Sequence, residues 1–171
     1  MGHLIFINKC SAACEEATSI KFTNIICTSY NESWILVNTC RLRALNRYTT
    51  TLNFNATLIQ PVTETSITFQ FLQKANGYKP WLYKYTIDVC RFFKKAYNPV
   101  AIMVYKMFKD FTNFNHTCPY ETELICDGFY ISDDKIPIPW PSGDFQLQMQ
   151  FTSNKKRLIF VYIYFHVADD L

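Results

Sequence analysis

The stretch SITFQFLQKANGYKPWLYKYTIDVC, Ser66 to Cys90, decides the fold class. In its first part Ile67, Phe69 and Phe71 alternate with Thr68 and Gln70. That period of two is the mark of a strand with one buried face. Asn76-Gly77 follows, the strongest short hairpin signal. Beyond it Trp81, Tyr83, Tyr85, Ile87 and Val89 again fall on one face. Pro80 has no N–H to give to a ladder, so it marks a strand start or a sheet edge. The reading is an antiparallel hairpin whose buried face is aromatic.

The same alternation recurs along the chain. In TLNFNATL, Leu52, Phe54, Ala56 and Leu58 share one face, while Asn53, Asn55 and Thr57 share the other. In FQLQMQF, Phe145, Leu147, Met149 and Phe151 oppose three glutamines. RLIFVYIYFHV, from Arg157, is apolar on both faces, as a central strand would be. Lys155-Lys156-Arg157 after Ser153-Asn154 reads as a solvated hairpin turn, and the prolines of IPIPWPSGDF favour an extended connection. A helix interrupts this pattern over about 98–112. Asn98 suits the N-cap and Pro99 the first turn. Val100, Met103, Val104, Met107, Phe108 and Phe111 follow at helical spacing. Those methionines could line a plastic binding surface, or the stripe is simply the face that docks on a sheet. The expected fold is all-β, a sandwich of two antiparallel sheets with a short helical insertion.

Composition narrows the function. The 171 residues suit a single domain, expected over 20–171. Apolar residues make up 49%, charged ones 18% and aromatics 17%, with only 4 glycines, so the core is built from large rings. Net charge is +3 with the basic residues scattered, which leaves no basic stripe for a nucleic acid. The apolar run Leu158–Phe165 is too short to cross a bilayer as a helix. Residues 1–19 are expected to be a degenerate signal peptide, because Leu4–Ile7 is all the apolar run they offer before Asn8 and Lys9.

Three glycosylation sequons begin at Asn31, Asn55 and Asn115. Beside seven cysteines they favour a secreted, disulfide-bonded protein. FNHTCPY, residues 114–120, brings His116 within two positions of Cys118. A metal would need further ligands, and the other histidines, His3 and His166, are far away in sequence. His116 is then the middle residue of a sequon. Cys118 has a structural use, since a bridge to Cys90 would staple the helical insertion to the sheet. Cys27 and Cys40 would pair by the same logic, although four cysteines allow three connectivities. Cys126 is left over, as a buried thiol, a partner for Cys10 or Cys14, or a reactive group. Glu121, Glu123, Asp133 and Asp134 read as solvated surface. No phosphate loop or nucleophile elbow is present, so neither an enzyme nor a cofactor is expected.

What remains is the aromatic payload. Phe69, Phe71, Trp81, Tyr83, Tyr85, Phe145, Leu147 and Met149 are expected on the inner faces of the two sheets. They either close-pack into a solid core or border a cavity for an apolar ligand.

IKFTNIIC, NGYKPWLYKYTIDVCRF, NHTCPY and IPWPSGDF, in that order, resemble a large insect family of small secreted proteins of unknown function, expanded in flies. That family is similar to the MD-2-related lipid-recognition (ML) fold and to fly gustatory proteins implicated in pheromone response. The resemblance runs from about Ile20 to Val167. It implies an immunoglobulin-like, ML-type β-sandwich whose sheets can splay to admit a lipid or other small hydrophobic ligand. It supports Cys27, Cys40, Cys90 and Cys118 as the disulfide framework. The chain departs from it in lacking a clear signal peptide and in carrying Cys126. The expected function is a secreted, non-enzymatic carrier or sensor of a hydrophobic ligand, with a chemosensory role as one form of it. The alternative is an interaction module or co-receptor with a solid core and a receptor protein as partner.

Overall fold

The computed structural model describes residues 18–136 and 139–169. The N-terminal segment expected over 1–19 lies outside the described residues, together with Cys10 and Cys14, except that Thr18 and Ser19 begin the first strand. The strands are β1 (Thr18–Ser29), β2 (Ile35–Ala44), β3 (Thr50–Leu58), β4 (Ser66–Lys74), β5 (Tyr78–Pro80), β6 (Tyr85–Asp88), β7 (Glu123–Phe129), β8 (Gly143–Ser153) and β9 (Lys156–Asp169). They form two antiparallel sheets. The larger has the order β1-β9-β8-β4-β5, with β6 also paired to β4, and the smaller has the order β2-β3-β7. This is the expected all-β sandwich with a helical insertion.

Turn chemistry sets the registers. Asn76 and Gly77 both have positive φ, 55° and 91°, the left-handed region that Asn and Gly tolerate. Lys74 therefore pairs with Tyr78 across the β4–β5 turn. Asn154 and Lys155, at φ 49° and 62°, make the two-residue turn that pairs Ser153 with Lys156. β9 lies between β1 and β8, which is why its sequence is apolar on both faces. Ile159, Val161, Ile163, Phe165 and Val167 are buried on its inner face. Phe160, Tyr162 and Tyr164 lie half-buried outside, opposite Gln150, Gln148 and Gln146 of β8.

Three local expectations change. The strand read from Trp81 onward is broken. The N–H groups of Trp81 and Leu82 both reach the carbonyl of Phe71, at 2.9 and 3.3 Å, and pairing with β4 resumes only at Tyr85. The break turns Tyr83 outward, 83% exposed instead of facing the core, while Ile87 and Val89 beyond it stay buried as expected. Cys90 does not end a strand. It sits in the first turn of a short helix, α1 (Val89–Lys94), capped by Asp88, whose carboxylate accepts the Arg91 N–H at 3.0 Å. The predicted helix is α2 (Pro99–Phe108), prolonged by a 3-10 turn over Lys109–Phe111. Asn98 caps it, with its side-chain oxygen accepting the N–H groups of Val100 and Ala101, each at 3.1 Å. Its most buried residue is Ala101, which the expected stripe left out.

Two disulfides tie these layers. Cys27 of β1 is joined to Cys40 of β2, across the two sheets, with Cα atoms 6.2 Å apart. Cys90 of α1 is joined to Cys118, beyond the 3-10 turn, with Cα atoms 5.0 Å apart. The core lies between the sheets. Phe145, Ile35, Ile159 and Val167 are its most fully buried large side chains, each worth about 1.5–3 kcal/mol of apolar transfer.

Candidate functional site

The inner faces of the sheets do not fill the space between them. A cavity of about 230 Å³ lies at the centre of the fold. One wall is the larger sheet, with Ile67, Phe69 and Phe71 of β4, Leu147 and Met149 of β8, and Val161 and Ile163 of β9. The facing wall is the smaller sheet, with Leu52 and Phe54 of β3 and Leu124, Cys126 and Phe129 of β7. Phe92 and Phe93 of α1 and Ala101, Val104, Tyr105 and Phe108 of α2 complete it. An apolar cavity of roughly 150 Å³ is already large enough to hold a benzene ring and stay dry, so this one has room for a small apolar guest.

Rings dominate the boundary. Phe129 contacts Phe22 of β1 at 5.2 Å between centroids, Phe111 at 5.4 Å and Phe108 at 6.2 Å. It thus connects both sheets to the helical insertion. At one end Trp140 is boxed by Trp81, Phe71, Phe145 and Phe165, with centroids 4.6, 5.2, 5.3 and 5.5 Å away. Edge and tilted contacts of this kind each add about 0.5–1.5 kcal/mol beyond area burial.

The polar groups on the boundary are few, and most are engaged. Thr65 donates to the Thr152 carbonyl at 3.2 Å. Tyr105 donates to the Phe114 carbonyl at 2.8 Å, and Tyr120 donates to the carbonyl of His116. Burial pushes the Tyr120 hydroxyl up to about 12. Burial, with the Asp127 carboxylate next to it, pushes the Cys126 thiol up to about 12 as well. Tyr105 is raised too, by burial and then by Asp110. All three stay protonated at neutral pH, and among the described residues no Lys, Arg, His, Asp or Glu side chain lines the cavity. The described lining carries no charge.

Of the residues expected to face a ligand, Phe69, Phe71, Leu147 and Met149 border this cavity. Phe145 and Trp81 sit behind Trp140 in the ring cluster that plugs one end. Tyr85 packs on Phe69 at 5.6 Å without reaching the cavity, and Tyr83 points to solvent. The expected list missed the whole β3–β7 wall, although the alternation of Leu52 and Phe54 is as clear as that of Phe69 and Phe71. It also missed Trp140, whose signal was a lone Trp inside a proline-rich extended run.

The other candidates lie away from it. Asn115 is exposed, while Asn31 and Asn55 are half-buried, and all three are outside the cavity. Asn38 bridges the Asn55 sequon by donating to Asn55 Oδ1 at 3.0 Å and Thr57 Oγ1 at 2.7 Å. His116 stacks on Tyr120 at 4.4 Å and its Nδ1 lies 2.6 Å from the Thr117 carbonyl, so its ring is used locally. Cys126 is a buried free thiol. Among the described residues no group of three or more His, Cys, Asp or Glu side chains could hold a metal ion. Nor is any described helix long and apolar enough to cross a membrane.

Comparison with known proteins adds a family. No match to a curated protein is found. Among solved structures, the crystal structure of a Niemann-Pick type C2 protein from Japanese carpenter ant is similar at 13% identity. That likeness covers 85% of this chain and 90% of that chain with a TM-score of 0.32, too loose a superposition to carry an argument. Residues 67–147, just under half of the chain, match the family described as "Protein of unknown function (DUF1091)". The matched span holds three of the four motifs behind the resemblance: NGYKPWLYKYTIDVCRF, NHTCPY and IPWPSGDF. The match to that family of unknown function runs from β4 through both helices to the middle of β8.

Proposed function

We propose that the protein is a non-enzymatic binding protein that holds a small hydrophobic ligand between its two sheets. The observation that carries this reading is the central cavity, about 230 Å³ and walled by apolar and aromatic side chains. A solid core packs to near crystal density with few voids larger than a water molecule. The alternative, an interaction module with a solid core, has no such void to explain. Cavity-lining residues come from both sheets and both helices, so a guest would touch nearly every element of the fold.

The two disulfides support a protein that matures in an oxidising compartment, consistent with a secreted carrier. The surface sequons fit the same setting. A chemosensory role, with a receptor protein as partner, is a finer form of this reading that draws on the family resemblance alone.

The test is native mass spectrometry of the disulfide-bonded protein purified from insect cells, with organic extraction of what it carries. The expected result is a retained small molecule, lost when the cavity is filled by Val104→Trp. A protein that emerges without a guest, and that displaces no apolar fluorescent probe from solution, would refute the proposal.

A further inference from the structure

We propose that the tip of the β2–β3 hairpin docks the protein on a membrane surface rich in anionic lipid. Leu45 and Tyr48 enter the headgroup layer, and the basic side chains around them hold its phosphates. Docking of this kind needs no guest in the cavity, so it holds or fails separately from the carrier reading.

The tip is the turn between Ala44, which ends β2, and Thr50, which begins β3. Leu45 is 57% exposed on it and Tyr48 79% exposed. Single exposed apolar residues are ordinary, but two on one short turn, ringed by cations, mark a contact site. Arg43 and Arg47 flank the pair in sequence, and Arg41 shares one side of β2 with Arg43. The Lys21 ammonium of β1 donates to the Arg47 carbonyl at 3.1 Å, which brings a further cation to the turn. All of these basic residues are exposed, and none joins either salt bridge found among the described residues. The acid in register with Lys21 across β9 is Asp144, and His166 engages it at 2.7 Å. Positive charge gathered in this way attracts an anionic partner.

Two features favour a membrane over a soluble protein as that partner. The first is depth. A strand advances about 3.4 Å per residue, so with the hairpin upright Arg43 stands about 7 Å behind Leu45. A headgroup layer is about 5–8 Å deep. Leu45 at its base therefore leaves Arg43 at the level of the phosphates, with Arg41 about one Debye length behind. Tyrosine suits the same boundary, with an apolar ring and a wet hydroxyl. The second feature is the backbone. The N–H groups of Leu45 and Asn46 reach the Thr49 carbonyl at 3.0 and 3.4 Å. Those of Tyr48 and Thr49 reach Asn46 Oδ1, each at 2.8 Å. These donors enter a water-poor layer already paired, which spares the cost of stripping them of water. A protein partner would instead need a broad patch of roughly 800 Å² with an apolar centre, and so short a turn falls well below that.

Flotation of the disulfide-bonded protein with lipid vesicles tests the docking. Binding is expected to mixed phosphatidylcholine–phosphatidylserine vesicles and not to phosphatidylcholine alone, and it should fade as salt is raised. Each basic residue at an anionic surface is worth roughly five-fold, so Arg43→Gln with Arg47→Gln should weaken binding roughly 25-fold. Lys155→Gln with Lys156→Gln removes the same charge at the far end of β9 from the Lys21 pairing and should leave binding nearly unchanged. Leu45→Ser with Tyr48→Ser keeps every charge and should weaken binding roughly ten-fold or more. None of the substituted residues lines the cavity, so all variants should hold an apolar probe like the unaltered protein. Equal binding to both kinds of vesicle overturns the proposal. So does a polar tip that binds as well as the native one, since charge adsorption alone then accounts for the binding. Absence of vesicle binding overturns it too, and binding of heparin through the same arginines would then identify a soluble polyanion as the partner. Vesicle docking without probe binding removes the carrier reading and leaves this one standing.

Discussion

The two long edges of this sandwich are closed in different ways. At one edge β1 and β2 come together directly, and the Cys27–Cys40 disulfide crosses from sheet to sheet. At the other, β7 ends the smaller sheet without pairing to the larger one, and the chain from Val89 to Tyr120 fills the edge. That filling is anchored twice, by Cys90–Cys118 and by the pairing of Thr112 with Cys126 and Val62 with Tyr120. Direct closure lets side chains interdigitate. Closure by short helices leaves a cavity behind their apolar faces. The cavity meets both edges, through Phe92 and Phe93 of α1 at the helical one and through Ile20, Phe22 and Ile25 of β1 at the other.

Removing the ring that serves both edges should have the largest effect. Phe129→Ala deletes contacts to Phe22 on one side and to Phe108 and Phe111 on the other. A loss of about 3–5 kcal/mol is expected in urea unfolding, as for buried aromatic truncations. A cost below about 1 kcal/mol would mean that the edges are not coupled through this ring.

The disulfides separate the edges from each other. Cys27 and Cys40 are 13 residues apart, Cys90 and Cys118 28 apart. Replacing either pair by alanine should cost about 3–4 kcal/mol, with the longer loop slightly more costly. Their effects on binding should diverge, because only Cys90–Cys118 fastens α1, which lines the cavity. Apolar-probe affinity is expected to fall when that pair is removed and to hold when Cys27–Cys40 is removed at a temperature where both variants are folded. Equal losses of affinity would erase the distinction drawn between the edges.

A smaller effect should follow at the helical edge from its cap. Asn98 combines a positive φ of 66° with two accepted N–H bonds. Asn98→Ala removes the cap and strains the backbone, for a loss of about 1–3 kcal/mol. Asn98→Gly should lose less than Asn98→Ala, since glycine accepts that φ freely. Thermal unfolding of the two variants side by side checks the order.

The pH dependence of stability probes the wall at β7. The Cys126 thiol rises from 9.0 to about 12 on folding. The unfolded chain ionises first, so this contribution is intact below about 9 and is lost as pH rises towards about 12. Tyr120, raised from 10.0 to about 12, acts in the same direction. The unfolding midpoint should fall with alkali, and Cys126→Ala should flatten the lower part of that fall. A variant whose alkaline profile matches the unaltered protein would show that Cys126 is not the group that titrates. Smallest of all is Tyr83→Ser, which should change stability by less than about 0.5 kcal/mol and leave probe binding alone.

Tyr83 also shows what the sequence could and could not say. The period-two pattern from Ile67 to Phe71 and from Phe145 to Phe151 placed those side chains inward, because each strand runs unbroken in the larger sheet. The pattern from Trp81 to Val89 looked as regular, yet Pro80 cannot donate to the ladder and the strand breaks just after it. The break turns Tyr83 out while Ile87 and Val89 beyond it keep the inward side, and nothing in the residue types announces it. The helical face drifted for a similar reason. A stripe starting at Val100 and one starting at Ala101 fit the residues almost equally, and only docking decides between them. The cavity was legible as an aromatic surplus but not as a void, since a volume depends on how far apart two sheets are held. α1 adds Phe92 and Phe93 to the cavity wall, yet its six residues, Val89–Lys94, are too few to register as a helical period.

The capped helix has one more consequence, for the speed of exchange. α2 faces the cavity through Ala101, Val104, Tyr105 and Phe108 and forms no strand ladder with either sheet. Displacing it costs apolar contact and the Tyr105 hydroxyl bond, and leaves every rung between strands intact. A guest passing on that side would meet a barrier of side-chain rearrangement, crossed without unzipping a sheet. Residence time would then be set by a few rings and methyls, while the framework that defines the shape of the cavity keeps its hydrogen bonds throughout.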